Sequence, residues 1–469
     1  MSILSVFRKI KNEYNGPSRN IILIFHEEVA LADVIETVEE QKCTVFFSES
    51  HKSKFWLVQC SEQRLVKQAV INFRENKLVA IAEVDSVIQI SARPQVPKED
   101  DKKEDKDLAP TFPDVLWHLI YPKVAPDNSD EYAWDYSRGA TDSGRPIRVA
   151  VIDFGFKGSA AWVEAVNTQL SGRYSRSGCF ESIGINELKL KNGIFSRLES
   201  WFNHRHHSPY HGTLCATMAC GRAFERLPYD SGAAPEAELV LLALPDAPTI
   251  LTSVFIDALM RAAGLHAANS DAVDVISCSL GPNYKNGQVQ LTPALIATLQ
   301  QITHESKNGN GIPIFWATGH FSSDLTQDEF VSHPDVIAVG PSGLGEEAHA
   351  PRGGTLELLA PGIGVNIFHP RKQDFDGGGG GSSFSAPLVA GVTALLLGAN
   401  PSLTAKEIRY ILRKSCDKVH HFEAEYDHHG HSNSFGFGRI NAYKAMQYAI
   451  DSQKLSQLMA DPPLLPSER

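Results

Sequence analysis

Three side chains able to do acyl-transfer chemistry stand where apolar segments begin or end: Asp153, His211 and Ser383. Asp153 closes the β-branched run Ile147–Asp153 and is followed by Phe154-Gly155. The run reads as a buried parallel strand, with its carboxylate at the carboxyl end where open α/β sheets place their sites. His211 opens His211-Gly212-Thr213-Leu214-Cys215-Ala216, read as a small-residue apolar helix with the imidazole in its first turn. Ser383, in Gly381-Ser382-Ser383-Phe384-Ser385-Ala386-Pro387, opens a long helix through Leu388, Val389, Val392, Leu395 and Leu396, and Pro387 suits its first turn. The first amides of a helix have no intrahelical partner, so this start offers N–H groups to an oxyanion formed when the hydroxyl attacks a carbonyl. Singly, these are a Gly/Ser loop, a loop-capping acid and a structural histidine. Jointly they supply a nucleophile, a base to take its proton and an acid to orient the base.

The elements around them extend the pattern. Gly232–Leu239, Asp274-Val275-Ile276-Ser277-Cys278-Ser279-Leu280-Gly281, His333–Gly340, Leu359–Gly362 and Phe435–Ala442 follow in order. Together with the chain order aspartate, histidine, serine, they make the sequence resemble the subtilisin-like serine proteases, the subtilases, over roughly its last three quarters. The resemblance implies an α/β fold: a subtilisin-like three-layer domain with a mainly parallel central sheet. It also implies that His211 exchanges the proton of Ser383 while Asp153 holds the imidazole tautomer and stabilises the imidazolium. The main chain of Ser279, Leu280 and Gly281 would pair with an extended substrate, and Trp316, Ala317, Thr318 and Gly319 would wall the first substrate pocket. One position departs from the family: after Gly319, where the family carries its oxyanion-hole asparagine, stands His320. Losing such a donor costs on the order of a hundred- to a thousandfold in turnover. An imidazole protonated at Nδ1, bonded to Cγ as an asparagine amide nitrogen is, would present a substitute beside the Ser383 amide.

The first part of the chain alternates strand and helix signals: strand over Ile21–His26, helix over Val29–Glu40, strands over Thr44–Phe47 and Phe55–Cys60, helix over Glu62–Asn76 and a strand region over Leu78–Ile90. This β-α-β-β-α-β order is ferredoxin-like and resembles the inhibitory prodomain of subtilases, with Val79–Asp85 similar to its closing segment. The resemblance implies an intramolecular inhibitor whose end lies in the cleft and is processed near Ser91. The divisions expected are an N-terminal tail over 1–19, a prodomain-like unit over 20–91, a charged linker over 92–112, a catalytic domain over 113–450 and a C-terminal tail over 451–469, disordered or loosely docked. Thr404 and Glu407 form a capping-box pattern before a helix over Ile408–Lys414.

A chain of 469 residues with 42% hydrophobic content can bury one large core and one small one. Its net charge of -11 argues against a nucleic-acid partner. The short apolar stretch in Met1–Gly16 is followed by Arg8, Lys9 and Lys11, so neither a secretory signal nor a spanning helix is read, and cytoplasmic residence without a membrane partner is the expectation. Seven cysteines carry no evident disulfide pattern; Cys215, four residues after His211, is either a buried inert thiol or, as in some subtilases, a mercurial-sensitive one. The histidines at 204–207 and 420–431 read as polar loops. No cofactor is required by the chemistry; the family often binds structural calcium, whose ligands cannot be mapped here. Asp324, Asp328 and Glu329 suggest a basic-residue pocket and Ile88-Gln89-Ile90-Ser91 does not, leaving cleavage preference open. A serine endopeptidase acting on peptides or proteins is the favoured reading. A pseudoprotease or peptide-binding scaffold, motivated by His320, and a transpeptidase or macrocyclase on the same fold are the alternatives.

Overall fold

The computed structural model describes residues 19–468 except 49–51, 89, 93–115, 127–130, 157–167, 175–179, 184–209, 223–231, 245–249, 266–271, 283–290, 320–323, 326–327, 346–347, 349, 370–373 and 421–422. Two sheets organise it. The smaller is built from β1 (Asn20–Ala30), α1 (Leu31–Glu39), β2 (Cys43–Ser48), β3 (Lys52–Cys60), α2 (Val66–Glu75) and β4 (Val79–Val84). Its strands lie in the order β2-β3-β1-β4, all antiparallel, the spatial order of a ferredoxin-like unit. One face buries Ile21, Leu23, Phe25, Trp56 and Val58 against Val34, Val38, Ala69, Val70 and Phe73 of the two helices. Alternate residues Ile22, Phe55 and Leu57 face the other way and join the core of the large sheet. Strand periodicity of two thus lets one short strand serve two cores.

After β4 the chain does not continue as one strand. It forms β5 (Val87–Ile88) and β6 (Ile90–Ala92), then the short α3 (Trp117–Ile120) before entering the large sheet. That sheet comprises β7 (Arg148–Asp153), β8 (Thr168–Tyr174), β9 (Phe180–Ile183), β10 (Glu238–Ala243), β12 (Val275–Cys278), β14 (Ile314–Ala317), β15 (Ile337–Ser342) and β16 (Leu358–Pro361). Their order is β16-β15-β14-β12-β7-β10-β8-β9, with every pair parallel except β8 with β9. The outer elements are α4 (His211–Cys220), β11 (Ile250–Leu251), α5 (Thr252–Ala262), β13 (Leu280–Pro282), α6 (Pro293–Gln300), α7 (Glu329–Ser332), the antiparallel pair β17 (Val365–His369) and β18 (Asp374–Gly379), α8 (Ser382–Ala399), α9 (Ala405–Ser415), α10 (Ala442–Ile450) and α11 (Ser452–Ala460).

The apolar runs explain the layers. Val149, Val151, Leu239, Leu241, Phe315, Ala317 and Val339 face α4 and α8, while Ala150, Ile152, Val240, Leu242, Ile276, Ile314 and Ala338 face α5 and α6. A strand covered on both faces needs no polar alternation, which is why Val149–Ile152 is continuously apolar. Helix α8 is long and apolar enough to cross a membrane, yet it is buried along 94% of its length as the central core helix.

The end of the chain corrects an expectation. Of residues 451–469, read from their prolines as a disordered or loosely docked tail, Ser452–Ala460 form α11, which Asp451 caps by accepting from the amides of Gln453 and Lys454. Beyond it, the buried guanidinium of Arg413 donates to the carbonyl of Pro463 and to the carboxylate of Glu468, at 2.9 and 2.6 Å. The capping box at Thr404 and Glu407 is present, and opens α9.

Candidate active site

Central strand β7 delivers Asp153 to the carboxyl edge of the sheet, beside the point where the chain passes from one flank of β7 (β10, β8) to the other (β12, β14). Asp153 is fully buried; its Oδ1 accepts from the Phe154 amide at 2.6 Å and from His211 Nδ1 at 2.8 Å. A carboxylate can only accept, so the imidazole proton sits on Nδ1 and the Nε2 lone pair faces away from the acid. His211 is the first residue of α4 and is itself buried. Its placement is secured by Gly212, whose amide donates to the Phe154 carbonyl at 2.8 Å and where a Cβ would meet that oxygen at 2.7 Å.

Ser383 lies in the first turn of α8. Its carbonyl accepts the Ser279 hydroxyl at 2.8 Å and the Cys215 thiol at 3.2 Å, so α4, α8 and the segment between β12 and β13 are tied at one atom. Three buried polar atoms here have no hydrogen-bond partner among the described residues: Asp153 Oδ2, His211 Nε2 and Ser383 Oγ. The glycine run before the serine is needed for close approach, since a Cβ on Gly380 would lie 1.9 Å from the Gly362 carbonyl.

The other expected site residues fall around this junction. Ser279 and Leu280 are buried, and Gly281 and its neighbours form β13. The edge of β13 is already occupied: β6 pairs with it antiparallel, Ala92 opposite Leu280, Ser91 opposite Gly281 and Ile90 opposite Pro282. Trp316, the last but one residue of β14, is buried in the core. Its ring is buried beside Phe255 and Phe330, and its indole N–H donates to the Leu280 carbonyl at 2.6 Å, bracing β13 from beneath. Ala317 and Thr318 are buried, and Gly319, at φ 94°, turns the chain out of β14 with its amide on Ser382 Oγ at 2.8 Å. A left-handed φ of this kind favours glycine. His320 lies outside the described residues, as do His204, His206 and His207.

Reading along the chain missed two anchors of the small sheet. Asp85, fully buried, accepts the amide and hydroxyl of Ser253 at 3.0 and 2.7 Å, in the first turn of α5. Glu83 accepts from the Ala294 amide at 3.3 Å, in the first turn of α6. Burial pushes the Asp85 carboxyl up to about 6, against the lowering effect of its hydrogen bonds, and raises Glu83 too. The signal available was a pair of acids two apart in an otherwise apolar strand.

Among the described residues, Asp153, His211 and Cys215 are the one group of three acidic, histidine or cysteine side chains close enough to share an ion. Calcium takes six to eight oxygens, so a set of one carboxylate oxygen, one nitrogen and one sulfur does not fit it. Burial and the Asp153 charge raise the Cys215 thiol well above its ordinary value, leaving it a protonated tie to Ser383.

The Subtilase family profile matches residues 144–438. A calcium-dependent protease of Trichormus variabilis is 28% identical over 279 residues, which span 52% of this chain and 40% of that protein. Subtilisin DY of Bacillus licheniformis is 28% identical over 189 residues, 39% of this chain and 61% of that one. The crystal structure of fervidolysin from Fervidobacterium pennivorans, a keratinolytic enzyme related to subtilisin, superposes with a TM-score of 0.63 at 16% identity, over 93% of this chain and 62% of that chain. The match thus spans less than two thirds of each of these three proteins, and 40% of the Trichormus variabilis one.

Proposed function

The chain belongs to the subtilase family, and from that premise we propose that it is a serine endopeptidase held in a self-inhibited state by its own N-terminal unit. The observation that carries the reading is the buried Asp153–His211 pair at 2.8 Å, with Nε2 and Ser383 Oγ left unpartnered at the same junction. On this reading Ser383 Oγ attacks a peptide carbonyl as Nε2 takes its proton. The imidazolium stays paired with Asp153 and returns the proton to the departing amine; water, deprotonated by the same nitrogen, then resolves the acyl-enzyme. The Ser383 amide holds the oxyanion, and His320 supplies the second donor through Nδ1. In sequence it follows directly on Gly319, whose amide donates a hydrogen bond to Ser382 Oγ beside the nucleophile.

Substrate binds as a strand on β13, between Ser279 and Gly281, where residues 90–92 now lie. Those residues are the inhibitory segment, and processing falls close to Ser91; a mature species beginning far from residues 88–112 in intact-mass analysis would contradict it. The substrate class is peptide or denatured protein. Calcium dependence, named for the Trichormus variabilis relative, is assigned no site here.

The decisive experiment is fluorophosphonate labelling together with digestion of a denatured protein. Parent protein is expected to label at Ser383 and to yield fragments, and Ser383→Ala to do neither. No labelling of parent, but labelling of His320→Asn, would favour the second reading, a peptide-binding scaffold whose oxyanion hole is defective.

A further inference from the structure

The small sheet carries a feature that the acyl-transfer reading does not use. Cys43, the first residue of β2, and Cys60, the last of β3, are paired in register and both face the helix-covered core of the unit. Their sulfurs are 2.7 Å apart, the one contact between two thiols among the described residues. The hydrogen bonds around them fix the kind of pair. Ser61 donates to the Lys42 carbonyl, and the Cys60 amide is turned to β1, donating to Arg19. Cys43 and Cys60 therefore form a non-hydrogen-bonded pair, whose Cα atoms stand ~4.5 Å apart, inside the ~4.4–6.8 Å span of disulfides.

We propose that Cys43 and Cys60 are a thiol–disulfide site that, once oxidised by a small-molecule disulfide, tightens the hold of the N-terminal unit on the β13 edge. The second half of the statement rests on the self-inhibited reading above; the first does not. In the step, one cysteine thiolate attacks the sulfur–sulfur bond of the oxidant and expels one thiolate. The other cysteine thiolate then attacks the mixed disulfide and expels the second. The two cysteine protons end on the two released thiols, and the two electrons on the oxidant.

Burial pushes the Cys43 thiol far up, so the closed unit reacts slowly. Reaction is possible because β2 is an edge strand, hydrogen-bonded only to β3, and opens at lower cost than the interior of the sheet. Once formed, the bond is shielded from reductant by the same burial. The link matters because the unit is small. A core of this size leaves a domain near the margin of stability, and only the folded unit aligns Asp85 with Ser253 and Ile90–Ala92 with β13. The apparent hold scales with the folded fraction. Joining β2 to β3 removes closure entropy of residues 44–59 from the unfolded unit and raises that fraction.

The test uses the full chain with Ser383→Ala, incubated with oxidised glutathione or with dithiothreitol, then acid-quenched, alkylated and mapped by mass. The oxidised sample is expected to hold a linked peptide joining Cys43 to Cys60, lighter by a pair of hydrogens than the reduced peptides. Hydrogen exchange of the Val87–Ala92 amides is expected to slow by at least about fivefold on oxidation, and to show no such change in Cys43→Ser/Cys60→Ser or, should that variant unfold, in Cys43→Ala. Equal alkylation of both cysteines after both treatments would overturn the site. A linked peptide with unchanged exchange would overturn the tightening, as would an equal response in the cysteine variants. Parent protein inert toward peptide in both redox states would remove the peptidase reading alone.

Discussion

The two ends of the chain are fastened to the large sheet by opposite electrostatics. At the C-terminal end, Glu357 is buried between two guanidiniums, accepting from Arg409 and from Arg413, and Arg413 reaches on to Glu468. Burial alone would raise the Glu357 carboxyl, but Arg409 and Arg413 outweigh it and hold the group below its ordinary value. At the N-terminal end, Asp85 is as deeply buried, but its hydrogen bonds come from neutral groups, the Ser253 amide and hydroxyl and the Asn20 side chain, and its carboxyl rises to about 6. A buried charge with matched counter-charges is costly to break; one held by neutral donors at a helix start is linked to proton uptake and reversible. The contrast suits a permanent C-terminal fastening and a releasable N-terminal one.

The strongest way to break the comparison is to remove the charge that the C-terminal network surrounds. Glu357→Gln leaves Arg413 buried without its inner counter-ion, and losing one partner of a buried pair costs about 3–5 kcal/mol. Calorimetry should show Tm falling by roughly 10 °C. A variant melting with the parent would mean that the C-terminal fastening is no firmer than the N-terminal one. The intermediate case is Asp85→Ala. It strands the Ser253 amide in the interface at about 1–3 kcal/mol, so a fluorescent peptide should bind the full chain carrying Ser383→Ala roughly ten- to a hundredfold more tightly as residues 90–92 give up β13. Unchanged affinity would remove Asp85 from the fastening.

Legibility along the chain follows the same division. The strand ending in Asp153, read as Ile147–Asp153, is β7 at Arg148–Asp153, and the helices opened by His211 and near Ser383 begin where the apolar periodicity does. Those features are local: a run of β-branched residues or a capping pattern carries them without knowledge of the partner. The strand region read over Leu78–Ile90 instead breaks after Val84, because Asp85 turns into α5 while Ile88 pairs with Ile250 and Ser91 with Gly281. No periodicity announces a partner almost two hundred residues away. The tail failed for the same reason: its prolines are visible, whereas the Arg413–Glu468 contact that docks them is not. Trp316 lies on β14, and the packing of its ring against Phe255 and Phe330 is set by partners distant in sequence.

The smallest expected effect is the most specific to the contrast. Because burial raises the Asp85 carboxyl to about 6, a docked unit binds a proton more readily than one whose Asp85 is exposed to water. Docking is then tightest below the free value and weakens as pH rises through about 6. Glu83, also raised by burial, adds the same sign. From pH 5 to pH 7 the Asp85 contribution amounts to roughly tenfold in the docking equilibrium, so peptide should bind the Ser383→Ala full chain roughly tenfold more tightly at pH 7. Turnover would mix docking with the chemical step, which is why binding with Asp85→Asn as control, rather than turnover, is the measurement. The amide keeps hydrogen-bonding capacity toward Ser253 and cannot ionise, so its profile should flatten by that tenfold. A slope equal to that of the Asp85 protein would assign the proton to another group and leave the two fastenings alike in their response to pH.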